Sequence, residues 1–323
     1  QHLHHDPYDE ADLRTALEGR HFDVTLAMYG RLRTIAALTV GHTDRFVSVG
    51  GVPAYRGYMN PWLDTPNGLR TPVGEDAPTV AEPGEDEKGF RIARTERVVF
   101  EHHRDATHFR YPYVYGPRQL APREWCVVRR VLDGRRRIVV ADGGLTLHHH
   151  GYTENLAHAV LLAVDQPERA AGKIFNTADT EVLSVRQVIE IIAAALDHEF
   201  ELVSMPFDLA LPAHPMIAQP MATHRVFDLT RLRNDLGYDD VVPAREALAA
   251  TARWLASNPP KPGGMEETVL TDPFDYAAED ALMDDWQRAL ATLAPPTFTT
   301  TPGVGLAYSG PGGKPRSNPN FVV

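Results

Sequence analysis

The sequence predicts an α/β fold on a parallel sheet, and three observations carry that prediction. Short runs of branched and aromatic residues alternate with segments of helical periodicity. Cap and stop residues punctuate the alternation. The chain has 323 residues of which 43% are hydrophobic, enough to bury a sizeable core in one large or two smaller units. Strand, helix, strand, helix, strand is the order that a parallel sheet with crossover helices requires.

The elements follow in chain order. A short strand is expected to end near Asp6, then a helix from Asp9 to Leu17, with Asp9 as cap, Leu13 and Leu17 on one face and Gly19 as stop. A strand over Phe22 to Ala27, a helix ending near Thr39 and a buried strand over Phe46 to Val49 come next. Residues 53 to 88 are polar and Pro-rich, and the helix "GFRIARTERVVFEHH" follows. "THFRYPYVYG" reads as a strand, "REWCVVRRVLDG" as a helix with a Gly stop, and "RRRIVV" and "LTLHHH" as strands. Thr153 is placed to cap "TENLAHAVLLAVDQP", "KIFNTAD" is a strand, and Ser184 caps "SVRQVIEIIAAALDH". A last helix, "AREALAATARWLASN", ends before Pro259. Beyond it, 259–323 reads as a Pro- and Gly-rich extension carrying one acidic helix, with Ala281, Leu282, Trp286 and Leu290 available for docking.

Composition removes several function classes. The formal net charge of -11 argues against a DNA-binding protein, because phosphate contacts need clustered Lys and Arg that outweigh global repulsion. The pairs and triples Arg129-Arg130 and Arg135-Arg136-Arg137 read as solvated faces. A single cysteine, Cys126, excludes an internal disulfide and fits a reducing compartment as a buried thiol. No apolar run approaches the roughly 18 residues that span a bilayer, and no signal-peptide pattern opens the sequence. A cytoplasmic protein without membrane contact is expected.

Several phrases, weak singly, are specific in their order and spacing: "FDVTLAMYG", "RFVSVGGVPAY", "RYPYVYGPR", "DGGLTLHHHGYTENLAHAV", "AGKIFNTAD" and "DLTRLRNDLGY". From about His5 to Asn258 the chain resembles the extended short-chain dehydrogenase/reductase family, the NAD-dependent sugar-nucleotide epimerases and dehydratases. The resemblance implies a Rossmann-like region over 1–125, a mixed substrate lobe with late sheet elements over 126–258, and the extension after it. It implies NAD or NADP as cofactor, a nucleotide-sugar or related small molecule as substrate, and a homodimer. It also makes "RYPYVYGPR" the hinge between sheet and substrate lobe, with Tyr115 sharing a cavity with Ser48 and Arg94.

By the same resemblance, Asp6 lies near the adenine, Met28, Tyr29 and Gly30 beside the dinucleotide, and Tyr113 and Tyr115 on the cofactor side of the hinge. Arg118 and Arg123 are anion contacts for the substrate, and His148 and His150 approach its nucleotide part. His148 and His150 share one face of a strand, yet no carboxylate or cysteine spacing completes a metal set.

Two departures qualify this. The family opens with a Gly-x-x-Gly-x-x-Gly turn whose backbone amides hold the pyrophosphate. This sequence has none; aligned by phrase, residue 1 falls near the family's third strand. Binding of NAD(H) or NADP(H) is therefore expected no tighter than about millimolar. The family's catalytic Tyr-x-x-x-Lys becomes Phe90-x-x-x-Arg94, so the tyrosine's exchangeable proton is missing while a positive field remains. Ser48 stands where a hydroxyl polarises the substrate, and Tyr55, then Tyr115, are the substitute proton donors. The alternative is a non-catalytic relative that binds a metabolite, RNA or protein partner in the same cleft.

Overall fold

In the computed structural model, residues 4–6, 8–28, 30–294 and 296–299 are described. They divide into two compact units, one ending at Asp275 and one starting at Tyr276.

The first unit opens with α1 (Glu10–Leu17), whose N-cap Asp9 accepts from the Ala11 and Asp12 amides, as the cap pattern predicted. Residues 4–6 form no strand; Asp6 instead turns the chain, its carboxylate accepting from the Tyr8 amide. Strand β1 (Thr25–Met28) is shorter than expected, because Phe22 makes only an isolated bridge to Thr43. Helix α2 (Leu32–Leu38), β2 (Phe46–Gly51), α3 (Glu87–His102) and β3 (Thr107–Tyr111) follow. The expected single strand through residue 116 is cut at Pro112, which has no N–H for a ladder. Beyond it, β4 (Tyr113–Tyr115) leaves the main sheet.

Helix α4 (Trp125–Leu132) and β5 (Arg137–Ala141) come next, then the predicted "LTLHHH" strand as two pieces, β6 (Leu147–His148) and β7 (His150–Tyr152). Helix α5 (Thr153–Asp165) has Tyr152 rather than Thr153 at its N-cap, with no side-chain cap; the Tyr152 amide donates to the Asp179 carboxylate. Short α6 (Pro167–Ala170), β8 (Ile174–Asn176), β9 (Leu183–Ser184) and α7 (Val185–Ala195) follow. Ser184 and Gln187 form a reciprocal capping box on α7. The unit closes with β10 (Glu201–Met205), α8 (His214–Ile217), α9 (Thr230–Leu236), α10 (Ala244–Ser257) and α11 (Met265–Thr268). The second unit contains α12 (Tyr276–Ala291).

The main sheet has four parallel strands in the order β1-β2-β3-β8. One face is apolar: Val47, Val49, Phe109 and Tyr111 pack with Leu156, Ala159 and Val160 of α5 and Leu232 and Leu236 of α9. On the other face Ala27 and Phe46 meet Leu32, Ala36 and Val99 of α2 and α3. Helices on both faces of a parallel sheet are the α/β arrangement that the alternation predicted. Smaller pairings, β4 with β7, β6 with β9 and β5 with β10, lie outside this sheet.

Arg130 corrects one sequence expectation. It is 2% exposed rather than solvated, because its guanidinium donates to the Asp272 carboxylate at 2.7 Å and to the Cys126 carbonyl. A buried arginine is tolerated only where such a partner is supplied from elsewhere in the chain.

Candidate functional site

In a parallel sheet, ligands bind beyond the carboxyl ends of the strands. A cavity of about 1000 Å³ lies there, touching Gly30 after β1, Val49 to Gly51 at the end of β2, and Tyr111 and Pro112 after β3. Helix α3 supplies one wall through Lys88, Arg91, Ile92, Thr95 and Val98, a single helical face, with Arg94 at its margin. Arg31 and Arg33 at the start of α2 and Arg14 of α1 complete a set of six cations facing one carboxylate, Glu10. Glu10 is held by Arg14 at 2.7 Å, and Arg31 lies over the Tyr8 ring. Arg33, Lys88 and Arg94 have no carboxylate partner among the described residues. In a protein of net charge -11, this concentration of positive charge is of the kind that attracts an anion.

Of the residues predicted from the sequence, Arg94 and Gly30 line this cavity. Gly30 has φ +56, a left-handed conformation that glycine takes without strain. Asp6 and Met28 are outside the lining, and Tyr29 lies outside the described residues. Phe90 is half-buried beneath Arg97 and does not reach the cavity.

Ser48 and the candidate proton donors are placed differently from the expectation. Ser48 is fully buried inside β2, and its hydroxyl pairs with His108 Nδ1 at 2.8 Å. Tyr55 is also fully buried; its hydroxyl donates to Asn176 Oδ1 at 2.7 Å, and burial raises its pKa. Tyr115 donates to Asp179 Oδ2 at 2.7 Å. Neither tyrosine lines the cleft, and Tyr115 does not share a cavity with Ser48 and Arg94. The reason is Pro112: it turns the chain out of the main sheet, so β4 runs alongside β7 instead.

Where β4 meets β7, a second group of predicted residues does converge. Arg123, 4% exposed, places its guanidinium 3.3 Å from the Tyr113 ring centroid. It donates to His150 Nε2 at 2.7 Å and approaches His148 Nδ1 at 3.4 Å and the Met216 carbonyl at 3.2 Å. Both histidines accept from a cation, so both are neutral; burial, then Arg123, holds their pKa values well below 6.5. Burial pushes Tyr113 up to about 12. Arg123 and Tyr113 face a cavity of about 440 Å³ bordered by His214, Gln219 and Leu270. Arg118 has φ +64 and stands apart from this cavity. No group of three or more potential metal ligands is found among the described residues.

Sequence reading missed Lys88, Arg91, Arg31, Arg33 and His108 as lining residues. The first two were legible: Lys88, Arg91, Ile92 and Thr95 fall at helical spacing on the helix that carries Arg94. His108 gave no signal, being one residue inside a short buried strand.

No protein-family model matches the chain. Among curated proteins, uncharacterized protein y4nL of Sinorhizobium fredii is 28% identical over 170 residues, covering 46% of this chain and 47% of that protein. UDP-D-apiose/UDP-D-xylose synthase 2 of Arabidopsis thaliana is 26% identical over 147 residues, 44% of this chain and 38% of the other. The matches thus span half or less of these relatives. Among solved structures, a point mutant of UDP-glucuronic acid 4-epimerase from Bacillus cereus, in complex with NAD and a fluorinated UDP-sugar, superposes with TM-score 0.61 at 15% identity, covering 80% of this chain and 82% of that one. UDP-glucose 4-epimerase of Thermotoga maritima, with UDP-glucose, gives TM-score 0.60 at 18% identity over 78% and 83%. No helix among the described residues is long and apolar enough to cross a membrane. With its parallel sheet, its helices on both faces and these neighbours, the chain has the fold of the NAD-dependent sugar-nucleotide epimerases and dehydratases, the extended short-chain dehydrogenase/reductases.

Proposed function

We propose that the chain is an NAD(P)-dependent epimerase-, dehydratase- or reductase-like protein whose substrate is a nucleotide-sugar or a related hydroxylated molecule. The observation that carries this reading is the concentration of six cations around the cavity at the strand ends. Phosphates of a dinucleotide are the ligand chemistry that such a set accepts. Arg94 and Lys88 on α3 and Arg33 on α2 would hold them, and Gly50 and Gly51 would let the ligand approach the backbone of β2. A bound nicotinamide would supply hydride transfer. The buried guanidinium of Arg123, whose described side-chain partners are the Tyr113 ring and two neutral histidines, would meet the substrate's anionic part in the second cavity.

A second reading, a relative that binds such a ligand without turning it over, is favoured by Phe90, whose ring has no proton to exchange. The two readings share the binding step. Titration with NADH and with NADPH, followed by nicotinamide fluorescence at low and at roughly fourfold higher salt, tests it. Affinity near the millimolar scale should weaken several-fold at the higher salt, and K88E/R94E should weaken it further. Affinity indifferent to both salt and charge reversal would overturn the proposal. Release of product from a UDP-sugar then separates enzyme from binder.

A further inference from the structure

The floor of the cleft holds a polar group that the reading above does not use. His108 lies on β3 with 1% exposure and borders the same cavity as Gly50 on β2. Its neighbours fix the ring. Ser48 Oγ is 2.8 Å from Nδ1, and Glu96 Oε2 is 3.5 Å from Nε2. The Glu96 carboxylate favours a proton on Nε2, so the serine hydroxyl donates to Nδ1. Burial drives the imidazole pKa from 6.5 to about 4, so the ring is neutral at pH 7 and carries its single N–H on Nε2.

That nitrogen has no hydrogen-bond partner; the carboxylate at 3.5 Å polarises it from beyond bonding distance. A Cβ added to Gly50 would stand 2.5 Å from Nε2 and 2.9 Å from Cε1. The absence of a side chain at residue 50 is therefore what makes room for this ring edge beside the cleft, where Nε2 itself is buried. Buried polar atoms without partners are uncommon and call for an explanation. Glu96 itself is committed to Arg110, which it meets at 2.6 and 2.8 Å, so it does not turn to satisfy the imidazole.

We propose that His108 is a ligand-positioning residue, its Nε2–H donating past Gly50 to an acceptor oxygen of the ligand that fills the cleft, once that ligand presses against the backbone of β2. The inference rests on the reading of that cleft as a dinucleotide site. A neutral imidazole held by a serine behind and a carboxylate beside is a fixed dipole, which needs no reorganisation when the oxygen arrives. The ligand portion concerned is the one lying over the end of β2.

The test has two arms. With ¹⁵N-labelled histidine, the His108 ring nitrogens are followed by NMR while NADH, NADPH, pyrophosphate or UDP-glucose is added; a shift confined to Nε2, saturating with the affinity found by fluorescence, is expected. In the second arm, H108L removes the donor but also takes the acceptor from the buried Ser48 hydroxyl, so the protein should melt somewhat below the wild-type temperature while its affinity falls about tenfold, the loss of one hydrogen bond in a dry site. H108Q, which returns an N–H near the Nε2 position, should recover most of that loss. If the wild type shows no salt-sensitive dinucleotide binding, the cleft reading fails. If it binds and H108L binds equally well, this proposal alone fails. Immobility of the Nε2 resonance with all four probes overturns it as well.

Discussion

Arg110 and Glu96 form a two-pronged ion pair inside the protein, with Nη2 to Oε1 at 2.6 Å and Nε to Oε2 at 2.8 Å. Arg110 is 2% and Glu96 7% exposed, and the arginine also donates to the Glu75 carbonyl and lies over the Tyr55 ring. The pair ties β3 to α3, the helix that carries the cleft cations. Breaking a buried pair on one side leaves the other charge stranded. Glu96→Ala should therefore lower unfolding free energy by about 3–5 kcal/mol, read as a drop in the urea midpoint. A loss below about 1 kcal/mol, the range of exposed pairs, would mean that water reaches this site.

Phe90→Tyr separates sequence alignment from geometry. Phe90 occupies the tyrosine position of the family pattern, yet its ring lies under Arg97 and outside the cavity lining. Restoring the hydroxyl alone should leave NADH affinity within about twofold of wild type and create no reductase activity, since a proton donor must reach the reacting group. Appearance of turnover in Phe90→Tyr would show that α3 rotates on ligand binding.

The sheet was legible because its evidence is local and repeated: branched runs such as Phe46 to Val49 and caps such as Asp9 and Ser184 act within a few residues. In the cleft, Gly30 and Arg94 were reached through the family pattern and do line it. Pro112 was visible in the sequence, but its consequence, the transfer of β4 to β7, depends on residues far along the chain, Tyr113 pairing with His150. For the same reason Arg130 looked solvated: its partner Asp272 is 142 residues distant. Tyr55 and Tyr115 were placed in the cleft by analogy, whereas their hydroxyls are already bound to Asn176 and Asp179. Arg123, His148 and His150, separate candidates in the sequence, are brought into contact because β7 and the turn after β4 meet there.

His149 predicts how stability follows pH. It is buried, and its ring accepts the Phe227 amide on Nδ1 and donates from Nε2 to the Asp179 carbonyl. Burial lowers its pKa from 6.5 to about 4. Between those values the unfolded chain binds more protons than the native one, so stability rises with pH through this window and is lost on acidification. The interval corresponds to about 3 kcal/mol for one such group. His108, His148 and His150 act in the same direction. Asp179, raised to about 6 by burial, opposes them, because its contribution is lost as pH rises. Glu75 and Glu124, also raised by burial, act with Asp179; His149 itself contributes a rise in the urea midpoint from about pH 4 to about pH 6.5. H149N, which lacks a titrating ring, should flatten that slope measurably; an unchanged slope would place the ring in water.

Arg123 offers the contrast to Arg110. Both guanidiniums are almost fully buried, but Arg110 neutralises Glu96, whereas the side-chain nitrogens facing Arg123 belong to His148 and His150. Removing Arg123 strands no carboxylate that now depends on it for a bond. The adjacent Glu124 is itself buried, with both oxygens unbonded and its pKa raised by that burial; loss of the neighbouring positive charge would raise it further. Arg123→Met preserves the contact with the Tyr113 ring through its thioether. Its cost should be about 1–2 kcal/mol, that of unmade neutral hydrogen bonds, against the roughly 3–5 kcal/mol expected for Arg110→Met. If Arg123 is kept for an anion, the same variant should lose the thermal stabilisation that a UDP-sugar confers on the wild type, while salt-sensitive NADH binding in the other cavity persists. Equal stabilisation of both proteins by the UDP-sugar would remove Arg123 from the substrate site.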